Sequence, residues 1–480
     1  MALSHPVAEG FLAAVHDAVG PAHCLSDPDL KASYELDWTR RFGGPALVVI
    51  RPADTKEIAK VLAACARFQV GLVPQGGNTG LVGGSVPRNG EAVLSLGRLN
   101  RVLRCDPDQD LLEAEAGTTL AAAHRAAAAV HCELGIDIAA RDSATLGGMV
   151  ATNAGGIHVI RHGPMRARLA GIEVVLADGT IASRLSGLVK DNVGYDLAQI
   201  MAGSEGTLGV VTKVLLRMVP VPAFRVTALV ALRALGDKAS DPAGGVRAVS
   251  EVAVSLAASL RRRVDGIDAL ELVYADGMAL VRDALGLPAP PDPGAEAWLL
   301  VEASGGQDPS SMLAEVIEDA PGVSEVAVAE DAGARAHLWA YRERHTEAIA
   351  TLGVPHKLDV TLPSDSLAAF AGVVRSEIQD ALGHEQRAAR VVLFGHVGDG
   401  NVHVNVIGPD PEDHRADDAV FRLVIRHGGS ISAEHGIGVA KLDFVTAARS
   451  AGDLTVMRRV KAALDPLGIL NPGVLLPPEG

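Results

Sequence analysis

At 480 residues the chain is too long for one ordinary hydrophobic core, so two or three domains are expected. With 48% hydrophobic and 21% charged residues it is not a largely disordered chain. A net charge of -15, with Arg261-Arg262-Arg263 as the only basic run, speaks against nucleic acid as a partner.

Cys24, Cys65, Cys105 and Cys132 stand far apart with no Cys-x-x-Cys pair. That removes a thiolate cradle for zinc or an iron–sulfur cluster and fits a reducing compartment. The first Lys or Arg is Lys31, so residues 1–30 do not read as a secretory signal or an Arg-rich presequence. No run of 18 uncharged apolar residues occurs. A cytoplasmic location without a membrane span is the expectation.

Up to about residue 220 the chain is rich in short β-like segments broken by glycine. A strand at 47–50 precedes Asp54-Thr55-Lys56-Glu57, a helix start with a capping Asp and a Glu three residues on. Ile58, Val61, Leu62 and Cys65 follow at helical spacing, and 71–74 reads as a second strand, which completes a βαβ unit. Further strands are predicted at 92–96, 111–115, 171–176 and 209–216, with Asp178-Gly179 as a hairpin turn. From about residue 221 strands (227–232, 298–302, 325–329) alternate with longer helical segments, and 236–245 and 287–295 read as surface loops. The tail from Asp453 is predicted helical, closed by Asp465-Pro466-Leu467-Gly468. The fold class is α+β, with domains at 1–220 and 221–430 and a C-terminal segment, 431–480, that packs on the first domain and completes the active site.

Residues 74–87 begin Pro74-Gln75-Gly76-Gly77-Asn78-Thr79-Gly80 and carry five glycines within nine residues. Glycine lets consecutive backbone N–H groups converge on an anion, and pyrophosphate is the natural guest. Two further runs, Gly147-Gly148-Met149-Val150-Ala151-Thr152-Asn153-Ala154-Gly155-Gly156 and Gly203-Ser204-Glu205-Gly206-Thr207-Leu208-Gly209, share this character. Neither Gly-x-Gly-x-x-Gly nor a P-loop occurs. Composition alone therefore stops at a dinucleotide or phosphate binder.

These runs, with Lys190-Asp191-Asn192-Val193-Gly194-Tyr195-Asp196-Leu197, resemble the FAD domain of the vanillyl-alcohol oxidase and p-cresol methylhydroxylase superfamily. Within it Asp37-Trp38, the wording of 74–80 and the Asp-Asn-x-Gly-Tyr-Asp run resemble most the D-2-hydroxyglutarate dehydrogenase family; D-lactate dehydrogenases and glycolate oxidase flavoprotein subunits are similar. The resemblance implies a two-part FAD-binding domain followed by an α+β substrate (cap) domain with an antiparallel sheet. It implies FAD contacts at Pro74, Gly76, Gly77, Asn78, Thr79, Gly80, Gly83, Gly84, Ser85, Gly148, Thr152, Asn153, Gly155, Glu205, Gly206, Val211 and Asn471. No histidine lies in 74–87, so FAD is expected to be bound non-covalently.

In 391–406 two apolar β runs flank Asp399-Gly400, the preferred pair for a two-residue hairpin loop. That register would oppose His396 to His403 on one face, close enough to share a cation, with Asn405 on the same face. Glu434, in Ser432-Ala433-Glu434-His435-Gly436, is available as a third ligand, giving a catalytic two-His, one-carboxylate set with open positions. The resemblance also puts metal ligands at His396, His403 and Glu434. Zinc is the first choice, and manganese or iron(II) would accept the same set.

Residues 337–347 read as one helix with Arg342 and Thr346 on one face, followed by a strand carrying Lys357. Arg342 can grip a carboxylate with its fork. The resemblance gives substrate contacts to Arg342, Thr346, Lys357, Asn405 and His435. A histidine side chain titrates near neutral pH, and His435 is the candidate general base. Arg344 and Lys441 read as solvent-facing charges. The expectation is metal-assisted deprotonation of the hydroxyl of a small D-2-hydroxy acid, with hydride passing from C2 to flavin N5. The acid expected is D-2-hydroxyglutarate, oxidised to 2-oxoglutarate. D-lactate dehydrogenase or glycolate oxidase subunit is the alternative of the same class, and a flavin-free metallohydrolase the alternative of another. No cluster or haem motif is present, so electrons are expected to leave to an acceptor such as an electron-transfer flavoprotein or a quinone. A homodimer follows the family habit.

Overall fold

The computed structural model describes residues 5–236, 242–383 and 389–478. The chain forms two compact units, Met1–Gly156 with Gly163–Val221 and Glu434–Gly480, and Ile157–His162 with Pro222–Ala433. We read no sequence signal for the excursion Ile157–His162.

The first unit holds two main sheets. The strands β1 (Cys24–Leu25), β2 (Val49–Ile50), β3 (Leu72–Gln75) and β4 (Ala92–Ser95) lie in the order β1-β2-β4-β3, with β2 and β3 both parallel to β4. Helix Thr55–Phe68 makes the crossover from β2 to β3. The Asp54 carboxylate accepts from Glu57 N at 2.9 Å to start it, and Ile58, Val61, Leu62 and Cys65 form its buried stripe. The second sheet is built from β5 (Val102–Asp106), β6 (Leu111–Glu115), β8 (Leu169–Val175), β9 (Ile181–Arg184) and β10 (Val210–Arg217), in the antiparallel order β5-β6-β10-β8-β9. A small pair joins β7 (Cys132–Glu133) to β11 (Val219–Pro220). Asp178 and Gly179 form the predicted turn, Gly179 at φ 86° and Thr180 N donating to the Asp178 carboxylate.

The tail closes this unit. Helix Ala451–Leu464 starts on a Ser450–Asp453 capping box. Beyond it Leu72 N donates to Ile469 O and Asn471 N to Leu72 O, both at 2.8 Å, so the tail covers the open edge of β3.

The second unit is one seven-stranded antiparallel sheet of β12 (Phe224–Leu232), β13 (Ile267–Tyr274), β14 (Ala297–Gly305), β15 (Val323–Ala329), β16 (His356–Thr361), β17 (Arg390–His396) and β18 (Asn401–Ile407). Their order is β15-β12-β14-β13-β17-β18-β16. Helix Ala332–Glu343 packs on one face, against Leu229, Ala231, Val273, Trp298 and Leu300. Helix Pro242–Arg263 packs on the other, where Ser250 and Tyr274 share a hydrogen bond at 2.8 Å. By length and composition Ala243–Arg263 could cross a membrane. Its Val249, Val252, Ala253, Leu256 and Leu260 are buried. The loop predicted at 236–245 is shorter than expected: residues 237–241 lie outside the described ones, and Pro242 already opens the helix, a position proline tolerates because it lacks only an N–H the helix leaves unpaired.

The hairpin register also differs from expectation. Phe394 opposes His403 and Val392 opposes Asn405, so the loop is the four residues 397–400 rather than Asp399-Gly400. The cause is local. Asp399 N and Gly400 N both donate to His396 O, Asn401 N donates to the Asp399 carboxylate, and Gly400 sits at φ 83°, which closes a wider turn. His396 and His403 are therefore two positions out of direct opposition, yet still on one face, because the side-chain period is two. Gly395 makes the turn possible, since a Cβ there would run into the Asn401 carbonyl.

Gly395→Ala is expected to lower stability by about 2 kcal/mol or more. Gly245→Ala, at a helical site with nothing within 4 Å of the added carbon, should raise it by about 0.5–1 kcal/mol. Thermal unfolding of both variants checks the pair.

Candidate active site

One group of polar residues in the second unit lies on a single face of its sheet. Glu271 on β13 opposes His396 on β17; Phe394 on β17 opposes His403 on β18, which opposes Asp359 on β16; Asn405 on β18 opposes Lys357 on β16. Directly opposed residues share a face, so the register alone places Glu271, His396, His403, Asp359, Asn405 and Lys357 together. The two imidazoles meet with ring centroids 5.2 Å apart and Nε2 atoms 3.4 Å apart. Behind them His396 Nδ1 lies 2.5 Å from Glu271 Oε1, and His403 Nδ1 lies 3.4 Å from Asp359 Oδ1. A carboxylate at Nδ1 favours the tautomer with its proton there and turns the Nε2 lone pair outward. Two nitrogens bound tetrahedrally to one zinc at 2.0–2.1 Å stand about 3.3–3.4 Å apart, so this donor pair fits a divalent cation.

Glu434, the third ligand expected, belongs to the other unit of the chain. Among the described residues no group of three or more His, Cys, Asp or Glu side chains is arranged to hold a metal. Glu434 lies in the first unit, where its Oε1 accepts from Gly156 N at 2.8 Å.

The charges on this face are fixed by their neighbours. Burial alone would raise the Glu271 carboxyl, but His396 and Arg342 outweigh it and hold it down to about 2. Burial lowers His403 to about 4 against the pull of Asp359, which keeps the ring neutral at pH 7. Burial also lowers Lys357 to about 8.

Arg342, 8% exposed, donates from Nε to Glu271 Oε2 at 2.5 Å, and its guanidinium carbon stands 4.6 Å from the Phe394 ring centre. Thr346 is not beside it on an unbroken helix, as predicted. The helix ends at Glu343, Arg344 turns at φ -85° and ψ 7°, and a second helix begins at His345. The break sets His345, fully buried, against Phe394 with ring centroids 4.6 Å apart, and leaves Thr346 exposed. Arg344 pairs with Glu347 at the surface, as a solvent-facing charge would.

In the first unit the three glycine runs meet one another. Side chains at Gly76 and Gly77 would strike Thr145 and the Ser143 carbonyl; one at Gly206 would crowd Pro74; one at Gly84 would come within 3.4 Å of the Glu205 carboxylate. The polar members mostly brace the loops. Asn78 Nδ2 donates to Leu36 O and its Oδ1 accepts from Ser85 Oγ; Thr152 Oγ1 donates to Gly148 O; Asn153 Oδ1 accepts from Arg166 N. Val211 is buried in the core. Asn471 Nδ2 donates to Gly84 O and Glu205 O, while its Oδ1 is buried without a hydrogen-bond partner. An orphaned buried acceptor in a glycine-lined cradle (with Thr79, Gly80, Gly83 and Gly155 on its loops) fits a cofactor that brings its own N–H or O–H donor.

Glu205 turns its carboxylate to Ile437 N and Gly438 N, both at 2.8 Å, and so braces the loop that carries half-buried His435. Burial raises its carboxyl. Lys441, expected at the surface, is 3% exposed and lies near this carboxylate, whose negative charge is the physical reason a lysine is tolerated there.

Sequence reasoning missed Glu271, Asp359 and Phe394. The signal was there for the two acids. A carboxylate inside Ile267–Tyr274, or between Leu358 and Val360, faces a core unless it is paired.

Residues 46–183 match the FAD binding domain family, and residues 248–475 match FAD linked oxidases, C-terminal domain. The structure resembles p-cresol methylhydroxylase with substrate bound at TM-score 0.77 and 16% identity, covering 98% of this chain and 97% of that one. It resembles alkyldihydroxyacetonephosphate synthase at TM-score 0.72 and 15% identity, covering 96% and 84%. Fold and domains together define an FAD-linked oxidoreductase. The chain is 36% identical to D-2-hydroxyglutarate dehydrogenase, mitochondrial, of Bos taurus, over 98% of this chain and 84% of the relative. It is also 36% identical to D-2-hydroxyglutarate dehydrogenase of Xanthomonas citri, over 96% of each, and 32% identical to a putative mitochondrial D-lactate dehydrogenase of Schizosaccharomyces pombe, over 93% and 85%. The chain belongs to the D-2-hydroxyglutarate dehydrogenase family of FAD-linked oxidases.

Lys357 loses its charge as pH rises through about 8, so kcat/KM for an anionic substrate is expected to fall above that pH. Lys357→Arg stays charged and should abolish the fall. An identical alkaline limb in Lys357→Arg would remove Lys357 as its cause.

Proposed function

We propose that the chain oxidises D-2-hydroxyglutarate to 2-oxoglutarate. The observation that carries this reading is the sheet face on which Arg342 and Lys357, two cationic anchors suited to a dicarboxylate, share a surface with the paired imidazoles. The relatives named for that substrate support it.

When bound, FAD supplies the two-electron acceptor and a divalent cation, zinc first with manganese or iron(II) as alternatives, supplies positive charge against the substrate's oxygens. His396 and His403 are assigned to the cation, and Glu434 is assigned to it on sequence resemblance alone. Arg342 binds a substrate carboxylate through its guanidinium, with Lys357 as the second anchor and Asn405 as a donor on the same face. Thr346 is retained as a substrate contact by resemblance. His435 accepts the proton of the C2 hydroxyl on its imidazole while the C2 hydride leaves. Holding the carboxylates at two points selects which face of C2 presents its hydrogen, and hence the D configuration.

Electron-transfer flavoprotein or a quinone is proposed as the acceptor and a homodimer as the assembly. A cytoplasmic location is part of the proposal, supported by four cysteines that are all unpaired thiols.

Anaerobic mixing with a panel of D- and L-2-hydroxy acids tests the function. D-2-hydroxyglutarate should bleach the flavin fastest. Faster bleaching by D-lactate would reassign the substrate, and a colourless purified protein that takes up no FAD would overturn the reading. His435→Ala should keep its flavin but reduce it about 100-fold or more slowly. Chelation should stop reduction, with zinc or manganese restoring it; full activity without metal would remove the cation from the mechanism.

A further inference from the structure

Glu271 is fully buried in the middle of β13, on the same face as His396, and nothing in the hydroxy-acid chemistry above uses it directly. Its two oxygens are divided between two elements. Oε1 lies 2.5 Å from His396 Nδ1 on β17, and Oε2 accepts from Arg342 Nε at 2.5 Å, on helix Ala332–Glu343. The Arg342 guanidinium makes no other hydrogen bond among the described residues. Its guanidinium is fixed at one edge by Glu271 and stacks over Phe394, whose ring also meets His403 at 5.0 Å between centroids. The Nη end of the fork is therefore left to take an anion, and its direction is set by Glu271.

We infer that Glu271 is a positioning residue that locks the metal-binding tautomer of His396 and the orientation of the substrate-gripping Arg342 with one carboxylate. The inference rests on the assignments of His396 and Arg342 made above. Its chemical core is an acceptor count. His Nδ1–H and Arg Nε–H are both donors, and only a carboxylate offers each of them an oxygen. A glutamine of the same shape has a single oxygen, so its NH2 must face one of the two donors. Either His396 loses the partner that holds its proton on Nδ1, or Arg342 loses the contact that aims its fork. Glu302 is a built-in comparison. It is also buried on this face, but it accepts from Trp339 Nε1 at 2.8 Å and Thr227 Oγ1 at 3.0 Å and touches neither His396 nor Arg342.

The test uses the full-length, FAD-loaded protein. Zinc affinity is measured by titration against a competing chelator, and the Co2+-loaded protein gives a visible spectrum that reports the ligand field. KM for D-2-hydroxyglutarate is measured in parallel. Glu271→Gln should weaken zinc binding about 10–100-fold, shift the Co2+ spectrum and raise KM about tenfold, with flavin content unchanged. Glu302→Gln should leave zinc affinity and the Co2+ spectrum as in the wild type. If Glu271→Gln fails to fold, Glu271→Asp, which keeps both acceptors at shorter reach, should show the same losses to a smaller extent. Wild-type protein that binds no zinc would overturn the metal assignment itself. Wild-type protein that binds zinc, with Glu271→Gln or Glu271→Asp matching it in affinity, spectrum and KM, would overturn the role of Glu271 alone.

Discussion

Two imidazoles that face each other across a buried hairpin, Nε2 to Nε2 at 3.4 Å, are the constraint on which the second unit is built. Each is backed by a carboxylate, Glu271 behind His396 and Asp359 behind His403. Buried carboxylates cost on the order of several kcal/mol each unless they are paired. Here the pairing fixes the tautomers, and fixed tautomers point two lone pairs at one place. That place is the one to which the proposed cation is assigned.

The surrounding architecture serves this face. Seven antiparallel strands give a rigid surface on which residues from β13, β16, β17 and β18 line up by register alone. A helix laid on that surface brings Arg342 to Glu271 and Trp339 to Glu302, so these two carboxylates that interrupt apolar strands find partners. The first unit solves a different problem with the same economy. Its glycine runs pack closely on one another and on neighbouring backbone, and Asn471 ties Gly84 to Glu205, an arrangement in which backbone amides can face a cofactor.

Much of this was legible in the sequence because it depends on short-range pattern. The crossover helix from Thr55 declared itself through a cap and a 3.6-residue stripe, and both histidines of the hairpin were assigned to one face. Two features were misread for identifiable reasons. The Asp399-Gly400 pair suggested a tight loop, but Asp399 folded back to cap Asn401 and widened it; the histidines kept a common face only because the slip was by two residues. The helix through Arg342 looked continuous, and burial of His345 against Phe394, a contact distant in sequence, broke it. Glu271 and Asp359 went unremarked because their partners lie tens of residues away. Only tertiary structure says whether an acid in an apolar strand is a ligand's support or an error of alignment.

The most direct measurement is an anomalous difference map at the zinc absorption edge, from crystals of the protein grown with zinc. The account predicts a single strong peak within coordination distance of both His396 Nε2 and His403 Nε2. A well-ordered hairpin with no peak there, or a zinc bound elsewhere with the two imidazoles still in mutual contact, would contradict it.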